Sequence, residues 1–220
     1  MSPPRGLLLD FGCVVSVSPF ERHRDSERLL GLEPGSIGWL GPVAPETDSL
    51  WQAMQRDEVS ERDYWRSRAR EVGEAIGEAD WDVTTLLNRT RPTDPAGIVR
   101  PQMRRLIGAA RARGVRLGIL SNELELFYGP ELVRRMRVLE HFDAVVDATH
   151  TGILKPDPRA YALALEALAL PAGEVLFVDD QLRNIVGASK AGLQTQLFEL
   201  RDVSGSFGAI LARLRLTNAN

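Results

Sequence analysis

Apolar residues in this chain recur in short, unbroken runs. Gly6-Leu7-Leu8-Leu9 ends in an acid, Asp10, and four later runs share the form, at 115 to 120, 144 to 146, 175 to 178 and 195 to 198. Runs of this length without polar alternation predict strands buried on both faces of a parallel sheet. Helix-length segments separate them, which is the alternation of a doubly wound α/β fold. Residues 101 to 113 place Met103, Leu106, Ile107 and Ala110 on one helical face, and Gly114 stands where a C-terminal cap belongs. Asp157 and Pro158 read as an N-cap and a first-turn proline opening a helix through Tyr161, Leu165 and Leu168. A short amphipathic helix is expected over 184 to 191, closed by Gly192, and a terminal one over 207 to 216.

The stretch from 17 to 93 has no comparable strand. Trp39, Trp51 and Trp65 sit among polar residues there, with Trp81 beyond them, and Ser60-Glu61-Arg62-Asp63 reads as a capping box. Tyr64, Trp65, Ala69 and Val72 then form an apolar stripe at helical spacing, while the Gly- and Pro-rich stretch from Gly31 to Pro45 predicts loop. The expected organisation is a core domain of residues 1–16 and 94–220 interrupted by a helical domain, 17–93. The tryptophans are expected in the core of that domain, with one lining a pocket.

Composition narrows the class. With 220 residues and 44% of them hydrophobic, the chain can bury a full core without cross-links. Cys13 is the single cysteine, and the first five residues lead into a short apolar run that lacks the form of a signal peptide, so a cytoplasmic enzyme is expected. The net charge of -3 offers no general attraction to nucleic acid, and no apolar run nears the ~20 residues needed to cross a bilayer. Arginines cluster at 104, 105, 111 and 113 and at 134, 135 and 137, with spacing that suits a solvated helical face. A homodimer is the default expectation for an enzyme of this size, although no particular residue points to it.

Open parallel sheets bind ligands beyond the carboxyl ends of their strands. The residues expected there are Asp10, Ser121 with Asn122, and Asp179 with Asp180, and Lys155 follows the third strand. Three acids, a hydroxyl and an ammonium suit phosphoryl transfer: a carboxylate nucleophile, a divalent cation to screen its charge, and donors for the moving oxygens.

Four motifs now resemble a family. Asp10-Phe11-Gly12-Cys13-Val14, Leu120-Ser121-Asn122, Lys155-Pro156, and Phe177-Val178-Asp179-Asp180 with Asn184 and Gly187-Ala188 are similar, in order and at strand ends, to the four motifs of the haloacid dehalogenase (HAD) superfamily. The resemblance implies a Rossmann-like core with an inserted α-helical cap, as in members acting on small phosphorylated substrates. It implies that Asp10 attacks phosphorus, that Ser121 and the backbone amide of Asn122 bind the phosphoryl oxygens, and that Lys155 neutralises charge. It further implies Mg²⁺ held by Asp10, the carbonyl of Gly12, and Asp179 or Asp180 or both.

One position departs from the pattern. The family's phosphatases usually carry a second aspartate, the general acid and base, where this chain has Gly12, and that catalysis is typically worth ~10²–10⁴ in rate. Some relatives with Asp-x-Gly-x-Val are nonetheless phosphatases of sugar phosphates, so selective activity on esters with good leaving groups, such as anomeric phosphates, is expected. Two other readings stay open: a dehalogenase-like hydrolase using Asp10, which Asp179-Asp180 disfavours, and a catalytically weakened binding or regulatory protein.

A cysteine-phosphatase reading of Cys13 fails because Pro19 stands where a phosphate-gripping arginine is needed, leaving a small buried thiol. Arg22, His23 and Arg24 could face the cleft from the cap. Within the Asp179-Asp180 pair, Asp180 is the candidate for a structural share, one carboxylate bonding the loop that ends at Asn184, with Asn184 as loop organiser and Gly187-Ala188 small for helix–sheet packing.

Overall fold

A computed structural model of the chain describes residues 3–92 and 94–216; Met1, Ser2 and position 93, where the expected domain boundary falls, lie outside the described residues. In chain order the first half carries β1 (Gly6–Leu9), α1 (His23–Leu30), α2 (Ser49–Gln55), α3 (Glu61–Ala75), α4 (Val83–Thr90) and α5 (Pro101–Ala112). Then come β2 (Arg116–Ser121), α6 (Leu124–Tyr128), α7 (Pro130–Arg135), β3 (Ala144–Asp147), α8 (Ala148–Thr151) and α9 (Pro158–Leu168). The chain continues through β4 (Val175–Asp179), α10 (Leu182–Lys190), β5 (Gln194–Leu197) and α11 (Val203–Arg213).

The five strands make one parallel sheet in the order β3-β2-β1-β4-β5. Alternation along the strands divides the core, because successive side chains point to opposite faces. Leu7, Leu9, Leu117, Ile119, Leu176 and Val178 join α5 and α11 on one face. Leu8, Leu120, Val175 and Phe177 meet Tyr161, Ala164 and Leu168 of α9 and Ala188 of α10 on the other. The Rossmann-like core with an inserted helical cap is therefore observed. All five expected strands form within a residue or two of their expected ends.

Two helices begin earlier than their apolar patterns suggest. Asp202 accepts the Gly205 amide at 2.8 Å and starts α11 at Val203, ahead of the apolar run. The helix α10 begins at Leu182, whose exposed side chain lies off its apolar stripe. The cap of α3 also differs in detail. Ser60 Oγ accepts the Asp63 amide at 3.1 Å, as expected, but the Asp63 carboxylate accepts the Ser60 hydroxyl instead of reaching back to a backbone amide.

The helices between β1 and β2 close on an aromatic centre. Trp39, Trp51, Trp65 and Trp81 are all buried, as are Tyr64, Ala69 and Val72. Phe20 is the hub, its ring 5.5 Å from Trp39, 5.6 Å from Trp51 and 5.3 Å from Trp65. Asp48 organises the polar side of this cluster, accepting from the Trp51 and Gly41 amides and the Tyr64 hydroxyl and pairing with Arg68. The arginine clusters behave as a solvated face, Arg134 pairing with Glu131 and Arg137 with Glu140.

His23 is a correction. It does not face the cleft; it packs edge-on against Trp39, 4.5 Å between ring centroids, with Nε2 buried and without a hydrogen-bond partner. Arg22 likewise turns away, donating to the Gly97 carbonyl. Burial pushes His23 down to about 4. A base depressed below its unfolded value stabilises the fold above the unfolded pKa of 6.5 and withdraws that stability as pH falls toward 4. His23→Phe should therefore lose about 1 kcal/mol less stability than wild type between pH 7 and pH 5, read from urea midpoints; equal losses would mean that His23 is not the titrating group.

Candidate active site

The sheet reverses direction of winding beside β1, which pairs with β2 on one side and β4 on the other. Asp10 follows β1 directly, and its amide donates to the Val178 carbonyl at 2.9 Å, so it stands level with Asp179 at the end of β4. Ser121 ends β2. This is the crevice where an open α/β sheet takes its ligand.

Lys155 ties these ends together. Its buried ammonium lies 2.7 Å from Asp10 Oδ1 and 2.7 Å from Asp179 Oδ2. The loop that carries it is held by Asn122, whose Oδ1 accepts the Lys155 amide at 2.7 Å and whose Nδ2 donates to the Lys155 carbonyl at 3.2 Å. The peptide bond to Pro156 is cis. Gly187 permits close approach from α10, since a Cβ there would meet Pro156 at 2.8 Å and the Tyr161 hydroxyl at 2.9 Å. Gly187 thus packs on the loop, while Ala188 faces the sheet-side core as expected.

Asp179 is saturated. Besides Lys155 it accepts the Gln181 amide at 2.8 Å, and Asn184 Nδ2 lies 3.1 Å from each of its oxygens. Of the pair, taken jointly from the sequence, the carboxylate that organises the loop is therefore Asp179, and Asn184 is the loop organiser expected. Asp180 lines the cavity together with Asp10 and Gly12. Asp10, Asp179 and Asp180 each offer an oxygen within 4.8 Å of the others, all buried, which is a donor set for a hard divalent cation.

The charges reflect that crowding. Burial pushes Asp10 up to about 7, against the pull of Lys155 and with the help of Asp179. Asp180 is driven well above the carboxylate range by burial and then by the charges of Asp179 and Asp10. Burial opposes the Lys155 charge, but the two carboxylates outweigh it and raise its pKa. Burial also raises Cys13 well above a normal thiol, which keeps it protonated and unreactive.

The backbone after Asp10 turns sharply, with Cys13 at φ 60. Arg100 braces that turn, donating from Nη2 to the Cys13 carbonyl at 2.7 Å while pairing with Glu21. Above it opens a cavity whose polar floor includes Asp10, Gly12, Ser121, Asn122, Lys155 and Asp180.

A family model described as haloacid dehalogenase-like hydrolase matches residues 33–192. The chain belongs to the haloacid dehalogenase-like hydrolases. A phosphatase of Mycobacterium tuberculosis is 34% identical over 120 residues, covering 50% of this chain and 55% of that one. An (S)-2-haloacid dehalogenase of a Pseudomonas species is 28% identical over 165 residues, covering 71% and 72%. The chain spans 9% of the length of one curated relative it matches and 55% of another. A magnesium-bound HAD hydrolase from Bacillus subtilis superposes with a TM-score of 0.65 at 20% identity, over 90% of this chain and 87% of that one, which shows the shared fold.

In this HAD hydrolase the expected site residues converge: Asp10, Gly12, Ser121, Asn122, Lys155 and Asp180 share one cavity, with Asp179 bonded beneath it. Arg22, His23 and Arg24 are absent from its lining. Sequence reasoning missed Glu61 as a site residue, reading it only as part of a helix cap. Its carboxylate accepts from Asn122 Nδ2 and from Gln181 Nε2, each at 3.1 Å, and so joins α3 to the carboxyl edge of the sheet. Arg100 was also missed, because an arginine before a helix-opening proline carries no local signal of the carbonyl it will meet.

A raised carboxyl destabilises the fold once ionised, so its contribution is lost as pH climbs through the folded pKa. At pH 8 in EDTA, Asp180→Asn should melt about 2–4 °C above wild type, the shift that 1 kcal/mol gives a chain of this size. Added Mg²⁺ should stabilise wild type and leave the variant unmoved. A variant that melts lower in EDTA would show that Asp180 is not the strained carboxylate.

Proposed function

We propose that this hydrolase is a Mg²⁺-dependent phosphatase of a small phosphate ester, working through an aspartyl-phosphate on Asp10. The observation that supports this best is the division of the Asp10 carboxylate: Lys155 holds Oδ1 at 2.7 Å, while Oδ2 lies on the side of Gly12, and Asp10 and Gly12 both line the cavity. A nucleophile so oriented attacks with one oxygen and is steadied through the other.

The donor set fits a magnesium ion held by the Asp10 carboxylate, the Gly12 carbonyl and Asp180, with Asp179 balancing Lys155; bound there, it would screen the phosphoryl group and keep Asp10 ionised. Lys155 remains charged and offsets negative charge on nucleophile and phosphate. Ser121 and the amide of Asn122 are assigned to the phosphoryl oxygens. Residues 17–93 act as the cap, closing over the site and excluding bulk water.

Asp10-Phe11-Gly12-Cys13-Val14 is assigned to the Asp-x-Gly-x-Val variant of the first motif. A Cβ on Gly12 would lie 3.6 Å from Asp10 Oδ2, an ordinary contact, so the position has room for a side chain that the chain does not supply. Halide displacement from carbon is the competing chemistry, since one relative is named for it. The Asp10–Asp179–Asp180 cluster weighs against that reading: it calls for a cation, and carbon–halogen cleavage at a carboxylate nucleophile needs none.

Release of inorganic phosphate from small esters should require Mg²⁺, cease in EDTA, and fall by at least ~10³ in Asp10→Asn, whose amide cannot be the nucleophile. Full activity in that variant sinks the mechanism. Gly12→Asp should raise turnover of alkyl phosphates tenfold or more if a general acid is what the site lacks. An unchanged rate would show that another group already delivers the proton.

A further inference from the structure

We infer that the substrate is an aryl monophosphate, the phosphate ester of an uncharged aromatic alcohol. The inference rests on the phosphatase reading and adds to it the chemistry of the leaving group. Three features of the site point the same way.

The first is the wall opposite Asp10. Phe20, Trp51, Trp65, Leu87, Phe127 and Tyr128 line the cavity, as does Val83. Phe20 meets Trp51 edge-on at 5.6 Å and Trp65 meets Phe127 edge-on at 6.3 Å, while Phe20 is tilted against Trp65 at 5.3 Å, so ring faces and edges both line the wall, and an aromatic guest can pair with either.

The second is the absence of a cation to spare. Among the described residues lining the cavity, Lys155 is the one cation, and Asp10 and Asp179 engage it. Arg62 is paired with Glu123 at 2.7 Å, and Arg183 with Asp57 at 2.8 Å and Glu61 at 3.6 Å. Glu61 and Glu123 also line the cavity, so a second carboxylate or phosphate on the substrate would meet like charge. Of the neutral polar side chains that could receive sugar hydroxyls, Gln181 bonds Glu61 and Arg183, and Ser16 bonds the Tyr128 hydroxyl; among the described lining residues the one open acceptor is Glu123 Oε2, buried without a partner.

The third is Gly12. Asp10 forms a bond to phosphorus as the P–O bond to the alcohol breaks, and the leaving oxygen departs with the electron pair. With no acid at position 12 to protonate it, that oxygen must be stable as an anion. A phenol ionises near ~10, about six units below water, so a phenolate can leave and collect its proton from solvent afterwards. A second water then cleaves the aspartyl-phosphate, releasing inorganic phosphate and restoring Asp10.

The test uses the full chain in Mg²⁺ with phenyl phosphate, 4-carboxyphenyl phosphate, glucose 1-phosphate and 2-phosphoglycolate. The first two have similar leaving groups and differ by one charge. Phenyl phosphate should show a kcat/KM at least tenfold above each of the others, and Val83→Arg should narrow its lead over 4-carboxyphenyl phosphate by at least tenfold. Equal use of the two aryl esters, or preference for the sugar or glycolate ester, overturns the inference and leaves the phosphatase reading standing. No phosphate release from any ester overturns both.

Discussion

A buried ammonium among three carboxylates sets the terms for the rest of this molecule. Lys155 is removed from water and would be costly alone, and the same holds for Asp10, Asp179 and Asp180; in company they satisfy part of one another's charge. The count remains one cation to three acids. That residual negative charge is what pushes Asp10 and Asp180 upward, and a divalent cation would complete it. Stability and binding are thus opposed at this point in the fold, since the arrangement that strains the carboxylates is the one that would hold a divalent cation.

Holding such a cluster requires rigid supports on every side. Asp10 and Asp179 stand at the ends of adjacent parallel strands in fixed register. Lys155 comes from a loop that no strand constrains, and its position depends on two side-chain bonds from Asn122 and on the close approach of Gly187 to Pro156. Asn184 reaches back from α10 to fix Asp179. The motif residues that do not touch the cavity therefore serve those that do, and substituting them would loosen the geometry of Lys155 without removing any reacting group.

The strands were legible because burial on both faces leaves an unbroken apolar run, and a run of that kind ending in Asp10 or Asp179 marks the place where a sheet presents polar groups. The ends of α10 and α11 were less so, since a short side-chain cap such as Asp202 outweighs the apolar pattern that follows it. Within the site, residue type and order identified Asp10, Ser121, Asn122, Lys155 and the Asp179–Asp180 pair. They did not divide the pair, because which carboxylate meets the Gln181 amide and Asn184 depends on the direction of the chain after β4. His23 misled for a related reason: a histidine flanked by arginines reads as polar, and only packing shows it edge-on to Trp39. Glu61 and Arg100 act across more than sixty residues of sequence, and no local pattern encodes a contact of that span.

The cap and the missing acid at Gly12 address the same problem from two sides. A wall built from Trp51 and Trp65 of the helices between β1 and β2 and Phe127 of α6 would keep bulk water from the cavity and so strengthen the electrostatic interactions on its floor. An apolar wall also makes an ionised leaving group harder to form, which, with glycine at position 12, penalises poor leaving groups most. On the aryl phosphate proposal, turnover would be confined to esters whose departing oxygen carries its charge easily, as a phenolate does by spreading it into its ring. The same wall that excludes water selects the ring, so the glycine that weakens general catalysis becomes part of how the site discriminates.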